Sequence, residues 1–262
     1  MSKTLVPTLK LSLEMTNTLS RVEQNGLRIN KGTLEQIKEE YTREMQDLEV
    51  RLNEMAREAM GDTPVSLTSP DDRSMLLYSR KVKDKHEWRR VFNLGMEQRG
   101  ATMKPKQRTR MKRAEFSRTI RGLTDVLYKT RGEQCRDCGG FGRVSPMKKD
   151  GTPGKAIRIC KTCGGKGIIY VPTSSIAGFK IVPRDAYDVA SAGFKTDKTT
   201  LDDRSSELSG DALEFVTAYV RYNALRTYLS TFVEGIKNNV DGKDIIHPEF
   251  MQCVTATGRL SS

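Results

Sequence analysis

The most constraining feature of this chain is a short cysteine motif that occurs twice. The first copy, CRDCGGFG, holds Cys135 and Cys138, and the second, CKTCGGKG, holds Cys160 and Cys163. Twenty-one residues lie between Cys138 and Cys160. Four thiolates at this spacing predict one tetrahedral zinc ion, which each cysteine pair holds from one side. The glycines after each pair allow backbone amides to turn towards the sulfurs.

The four cysteines could instead form two disulfide bonds, an alternative that a reducing cytosol disfavours. Four cysteine ligands leave the ion no open coordination position, so we expect a structural zinc ribbon rather than a catalytic site. Folding of this segment should then depend on metal. Cys253 stands apart and is expected to be a small packed residue, and neither histidine is needed as a ligand.

Positive charge is concentrated in one part of the chain. The formal net charge is +12, and the stretch Arg80–Arg131 holds 17 Lys or Arg against 5 Asp or Glu, a surplus that equals this net charge. A cluster of this size favours binding to phosphate backbones through counterion release. A solvated basic surface or a mobile basic loop is the plainer alternative. An acidic membrane surface fits less well, because the stretch has no clean apolar face.

The sequence indicates a protein of the cytoplasm, or of the host cytoplasm if it is phage-encoded. No run of about 18 apolar residues is present, so no membrane-spanning helix is expected. The first residues, MSKTLVPTLKLSLEM, lack the apolar core and the cleavage pattern of a signal peptide. The length of 262 residues allows one large domain or two smaller ones.

Hydrophobic periodicity predicts several helices. The first covers residues 8–26, and its inward residues are expected to be Leu9 or Leu11, Leu13, Met15, Leu19 and Val22. A longer helix follows a capping box at Thr33, with apolar residues at steps of three or four, and ends near residue 61. Shorter helical patterns begin after a cap at Ser69 and within residues 108–129, and a strong final helix covers residues 211–236. Residues 244–262 are expected to be extended or irregular.

Two resemblances to known families rest on specific residues. The paired CxxCxGxG motifs resemble the zinc modules of DnaJ-type chaperones, but over so few residues that they say little of function. The segment HPEFMQCVTATGRLSS, at residues 247–262, closely resembles the entry to the palm of family A, polymerase I-like DNA polymerases. Weaker matches occur in the same order in residues 13–41, 67–70, 193–201 and 224–236. Together these five segments cover about a quarter of the chain.

The polymerase resemblance implies a mainly α fold: an elongated antiparallel-helix thumb, a small β-rich zinc-ribbon insert and a short C-terminal start of the palm. It also implies contacts to a primer–template duplex. The domains expected are 1–80 (N-terminal helices and first thumb helix), 81–131 (basic insert), 132–172 (four-cysteine zinc insert), 173–240 (thumb tip and returning helix) and 241–262 (start of the palm). The implied DNA-binding residues are Lys195, Thr196, Lys198, Arg226, Ser230, Thr231, Gln252, Thr255 and Arg259.

The sequence also departs from the polymerase pattern. Thr227 replaces the thumb-helix lysine of the family, and residues 81–171 have no recognisable counterpart. The carboxylate motifs of the palm are absent, and two-metal phosphoryl transfer requires them. Catalytic residues are therefore not expected on this chain, and Mg²⁺ is expected only in a partner that carries palm and fingers.

Two functions of different classes follow. The first is the DNA-binding thumb subunit or fragment of a split, phage-type family A DNA polymerase, with palm and fingers on a second chain. An interrupted or truncated gene would have the same sequence. The alternative is a non-enzymatic, zinc-containing DNA-binding or scaffold protein derived from a polymerase thumb. A chaperone module would rest on the cysteines alone.

Overall fold

The computed structural model describes residues 5–99, 102–145 and 156–251, and about half of the chain is helical. The helices are α1 (Leu5–Asn25), α2 (Lys31–Met60), α3 (Pro70–Tyr78), α4 (Lys85–Val91), α5 (Arg113–Leu123), α6 (Lys198–Ser205), α7 (Gly210–Thr227) and α8 (Glu234–Asn239). A π-helical segment, Tyr228–Val233, joins α7 to α8. The strands are β1 (Leu27–Arg28), β2 (Arg80–Val82), β3 (Met96–Arg99), β4 (Thr102–Pro105), β5 (Thr124–Val126), β6 (Tyr128–Gln134), β7 (Arg143–Val144), β8 (Arg158–Ile159), β9 (Ile168–Ile176), β10 (Val189–Ala190), β11 (Gly193–Phe194) and β12 (Ile245–Ile246).

The described strands form two-stranded antiparallel sheets, which pair β1 with β12, β2 with β5, β3 with β4, β6 with β9, β7 with β8 and β10 with β11. The mainly helical fold with a small β-rich, four-cysteine module is therefore confirmed at this coarse level. The chain divides into two compact units, residues 1–48 with 221–262 and residues 49–220.

The first unit is built on an antiparallel pairing of α2 with the end of α7 and with α8. Lys38 Nζ lies 2.7 Å from Glu234 Oε1, and Arg221 holds Glu44 with two hydrogen bonds of 2.7 Å. The rings of Tyr41 and Tyr228 lie between these pairs, with their centroids 6.1 Å apart. Residue numbers thus increase along α2 while those of the contacted residues decrease, as an antiparallel pair of helices requires.

Two helix predictions are corrected in this unit. The cap of α2 is Asn30, whose side-chain oxygen accepts a hydrogen bond of 3.1 Å from the Thr33 N–H, so the predicted capping box at Thr33 is wrong. The helix ends near residue 61, as predicted. The inward face predicted for α1 is also largely wrong: Leu19 is half-buried, but four other predicted residues are exposed. These are Leu11, Leu13, Met15 and Val22, with exposed fractions of 65%, 66%, 45% and 43%.

The second unit has an aromatic core that holds the basic stretch in place. Trp88 of α4 contacts Phe92 and Phe194, with ring centroids 4.7 and 5.5 Å apart, and Phe92 contacts Phe116 of α5 at 5.9 Å. All four rings are buried. The Trp88 indole N–H also donates to the Ala190 carbonyl at 2.9 Å, so this buried polar group is satisfied.

The helix predicted within residues 108–129 is shorter than its apolar spacing indicated. It covers Arg113–Leu123, and the chain then enters β5, which pairs with β2 in the register Arg80↔Val126. The Thr124 hydroxyl donates to the Ile120 carbonyl at 2.7 Å, where the helix ends. A non-local strand pairing therefore overrides a local helical pattern here.

Candidate metal centre and nucleic-acid interface

The four predicted ligands converge in the second unit. Cys135, Cys138, Cys160 and Cys163 are all buried, and their sulfur atoms lie within 4.8 Å of one another. The Sγ atoms are 3.8 Å apart between Cys135 and Cys160 and 3.7 Å apart between Cys138 and Cys163. A tetrahedral ion with metal–sulfur bonds of about 2.3 Å requires sulfur–sulfur separations of about 3.8 Å. A disulfide would require about 2.05 Å, so the four cysteines are free thiols placed to hold a metal such as zinc.

The two motifs form matching halves of the site. The Cys135 N–H donates to the Gly167 carbonyl at 2.8 Å, and the Cys160 N–H donates to the Gly142 carbonyl at 2.9 Å. Each half therefore begins at a cysteine that is bonded to the last glycine of the other half. The repeat in the sequence has become an approximate two-fold relation in the structure.

The last glycine of each motif is required by geometry. Gly142 has a φ of +71°, and a Cβ there would lie 2.2 Å from the Gly165 carbonyl oxygen. Gly167 has a φ of +75°, and a Cβ there would lie 2.2 Å from the Gly140 carbonyl oxygen. Their N–H groups donate to Cys138 Sγ at 3.2 Å and Cys163 Sγ at 3.3 Å. Such bonds stabilise thiolates and orient them towards a shared ion.

The thiols differ in proton affinity. Burial raises the pKa of Cys135 to about 11. Burial would also raise the pKa of Cys163, but hydrogen bonds from the backbone N–H groups of Gly167 and Gly165 oppose it. Together with hydrogen bonds from the Cys138 and Cys160 side chains, they lower the pKa to about 7. A metal ion must displace protons from such a set, so its binding depends on pH. With four protein ligands, the site is suited to structure rather than to catalysis.

The cysteine module is attached to the C-terminal end of α2. Its outer strands, β6 and β9, form an antiparallel ladder from Tyr128↔Ile176 to Gln134↔Ile168. The Asp62 N–H donates to the Thr130 carbonyl at 2.9 Å, and the Asp62 carboxylate accepts from the Gly132 N–H at 2.8 Å. No local pattern predicted this attachment, because it joins residues far apart in the chain.

Most of the basic side chains of residues 80–131 are exposed. Arg108 differs: it is half-buried, and its guanidinium donates to the carbonyls of Ala186 and Tyr187 at 3.1 Å each, and to that of Val189. It therefore ties the basic stretch to the segment before β10 instead of facing solvent. Sequence composition alone could not separate this structural arginine from its exposed neighbours.

The residues expected at a thumb tip lie around the start of α6. Lys198 is exposed and Lys195 is half-buried. Thr196 is only 7% exposed, and its hydroxyl accepts a hydrogen bond of 3.1 Å from Arg73 Nε. The Thr196 side chain is thus engaged inside the protein and orients Arg73. Lys195 and Lys198 remain the candidates for phosphate contacts in this segment.

The other predicted DNA contacts belong to the first unit. Arg226, Ser230 and Thr231 are exposed, and the Ser230 hydroxyl donates to the Arg226 carbonyl at 2.8 Å. Ser230 and Thr231 lie in the π-helical segment, where Val233 is 4% exposed and Phe232 is 55% exposed. Val233, and not Phe232, therefore takes the buried position in this segment. Gln252, Thr255 and Arg259, like Cys253, lie outside the described residues.

Comparisons with protein-family models, with curated proteins and with solved structures give no match. Among the helices of the described ranges, none combines the length and the hydropathy that crossing a bilayer requires.

Proposed function

We propose that this chain is the DNA-gripping thumb of a family A-type DNA polymerase and that it holds the primer–template duplex. In this proposal zinc fills the four-cysteine site, and the Mg²⁺-binding carboxylates of catalysis lie outside these 262 residues. The observation that carries the proposal is the exposed cationic surface of residues 80–131. The finer assignment to a polymerase rests on the resemblance of residues 247–262.

The cationic surface supports binding to a phosphate backbone. Trp88 of α4 and Phe116 of α5 fix this stretch to the aromatic core. Its charges lie on these helices, on the strands and on the irregular segment 106–112 between β4 and α5. Acidic partners account for few of its lysines and arginines; Lys83 pairs with Asp125 and Lys85 with Asp71. A charged surface of this kind binds duplexes of any sequence with an affinity that falls steeply with salt.

The antiparallel helices of the first unit support the finer assignment. A pair of long antiparallel helices can follow a duplex groove and contact phosphates with Lys, Ser, Thr and backbone amides. Arg226, Ser230 and Thr231 are exposed on one helix of this pair. These are the residues that the polymerase resemblance assigns to the returning thumb helix.

Zinc is the metal that best suits the cysteine site. An all-thiolate, tetrahedral set with no open position is the usual arrangement of structural zinc. Bound there, the ion would cross-link β6–β9 and β7–β8 and so stabilise the segment that follows the basic stretch. Its contribution would be to folding rather than to chemistry.

Duplex binding is tested by fluorescence anisotropy with labelled primer–template DNA at several salt concentrations. The quadruple variant Lys106→Gln, Arg110→Gln, Lys112→Gln and Arg118→Gln should bind about tenfold or more weakly and lower the salt slope by about 3–4. The matched control replaces four exposed basic residues of the first unit, Arg21, Arg28, Arg43 and Lys243, by glutamine. Equal losses of duplex affinity in the two variants would show that binding depends only on net charge, and would contradict the proposed surface.

The polymerase assignment is tested by primer extension. The chain is assayed alone and mixed with the protein encoded beside it, if that protein carries palm and fingers sequence. Extension that needs both proteins would support the thumb assignment. Intact duplex binding without extension in any mixture would favour the alternative, a zinc-containing DNA-binding or scaffold protein.

A further inference from the structure

The cysteine module displays an aromatic side chain that its own fold does not use. Phe141 is 86% exposed, the largest value among the exposed large hydrophobic side chains of the described ranges. It stands between Gly140 and Gly142, and its ring lies over Gly139, where a Cβ would be 3.6 Å from the ring. The equivalent position in the second motif is Lys166. The two halves of the module therefore present an aromatic ring and a cation at matching places.

The module that carries this ring has a positively charged surface. Residues 134–145 and 156–168 hold five basic side chains and one acidic side chain, and all six are exposed. The acidic one, Asp137, accepts a hydrogen bond from the Thr162 hydroxyl. A divalent ion with four thiolates carries a charge of −2, which leaves the surface with a positive surplus. The basic residues are Arg136, Arg143, Arg158, Lys161 and Lys166.

The β7–β8 hairpin begins two residues after Phe141 and presents further exposed side chains. Arg143 pairs with Ile159, and Val144 pairs with Arg158. Directly opposite residues of an antiparallel pair share a face of the sheet. Because Val144 packs against the cysteine cluster, Arg143 and Ile159 face the other way. Ile159 is 67% exposed there, so a cation and an apolar side chain stand side by side on the outer face.

An exposed aromatic ring among cations matches one kind of ligand. In single-stranded nucleic acid the base faces are free to stack on a ring, while the phosphates pair with lysine and arginine. In a duplex the base faces are covered by their neighbours, so a duplex would use the cations and leave the ring exposed. We propose that the cysteine module binds single-stranded DNA, with Phe141 stacking on a base and the exposed cations of the module holding the backbone. The choice of DNA over RNA rests on the proposed polymerase function; the stacking and the charges do not.

The proposal is tested with the full chain and a labelled oligothymidylate of about 12 nucleotides, a length within the site sizes of small single-strand binding modules. Phe141→Ala should weaken binding by about tenfold, and Phe141→Trp should retain it. Phe232→Ala removes an exposed phenylalanine of the first unit and should have no effect. Metal content is measured for each variant, since unchanged metal shows that the module is still folded.

The tryptophan variant gives a direct signal of stacking. The native Trp88 is fully buried, so the indole introduced by Phe141→Trp is the one that a ligand can reach in the second unit. Its fluorescence should be quenched by oligothymidylate at the concentrations that saturate binding. Wild-type protein, which has only Trp88, should show little change.

Several outcomes would overturn the proposal. Unchanged affinity of Phe141→Ala for oligothymidylate would exclude stacking, and tighter binding to oligouridylate would exclude DNA as the preferred strand. If Phe141→Ala lost binding to an unfolded polypeptide that the wild type binds, but kept its affinity for DNA, the face would instead be a protein-docking surface. Duplex binding is measured in parallel, because Phe141→Ala should leave it unchanged. Failure of wild-type protein to bind duplex would count against the proposed function alone.

Discussion

Two regions of the second unit are held together by different means. The aromatic core around Trp88 buries several large rings with no exposed surface. The cysteine module buries little besides its four cysteines, against which Val144 and Ile169 pack as partly buried residues. Its described large side chains, such as Phe141 and Ile159, are mostly exposed.

The difference shows what each region depends on. Rings that bury 150–250 Å² each stabilise a fold by removal of apolar surface from water. A module of this size without such rings requires a cross-link, which a metal ion supplies. We therefore expect the two regions to respond to different perturbations, although they belong to one compact unit.

The largest effect should come from removal of a ligand. Cys163→Ser should lower bound metal from about one ion per chain to almost none, because three thiolates hold the ion much less tightly than four. Residues 132–171 should then be cleaved by protease, while Trp88 fluorescence stays that of a buried indole. Metal analysis and limited proteolysis with mass spectrometry check this. Cys253→Ser is the matched control, and equal metal loss in both variants would show that the four-cysteine assignment is incomplete.

A cavity in the aromatic core should lower the stability of the fold and leave the metal content unchanged. Phe92→Ala should lower the free energy of unfolding by about 3–5 kcal/mol, the usual cost for a buried phenylalanine. Metal content at low denaturant should remain that of the wild type. Urea unfolding followed by Trp88 fluorescence measures the loss. Phe141→Ala, at an exposed phenylalanine, should cost no more than about 0.5 kcal/mol, and a similar cost at both positions would contradict the contrast between the regions.

Glycine substitutions should sharpen the contrast within the module. Gly142→Ala places a Cβ 2.2 Å from the Gly165 carbonyl oxygen and displaces the N–H that donates to Cys138. Metal affinity should fall by about 10–100-fold, as for other groups that orient metal ligands. Gly164→Ala is the control, because its Cβ meets nothing within 4 Å and its positive φ costs only about 1–2 kcal/mol. Competition with a chromophoric chelator distinguishes the two.

The smallest effect concerns pH. The pKa of Cys163 is lowered to about 7, below the usual value for a thiol. Its thiolate therefore stabilises the folded module fully at pH values above the usual thiol pKa. That stabilisation is lost as the pH falls through about 7, because protons then compete with the metal for sulfur. Metal affinity should decrease as the pH falls from about 11, because the metal displaces a proton from Cys135, and it should decrease more steeply below about 7, where a proton must also leave Cys163. Chelator competition across the pH range measures it, and a constant affinity would show that the ligands are not thiolates.

The sequence predicted the elements whose signals are local. The spacing of Cys135, Cys138, Cys160 and Cys163 was sufficient to predict one site, and the cap at Ser69 is confirmed by its hydrogen bond with the Asp72 N–H. Predictions were wrong where a distant segment decides the outcome. The helix ends at Leu123 because β5 pairs with β2.

By itself, the sequence determined the chemistry that this protein carries: four thiolates in two matching motifs and a concentrated positive charge. These are properties of residue type and spacing, and folding does not change them. Only the tertiary structure decided which polar and aromatic groups are free to act. Arg108 and Thr196 are engaged inside the protein, whereas Phe141 is left in solvent. The physical reason is that exposure depends on contacts between segments far apart in the chain, which no local pattern encodes.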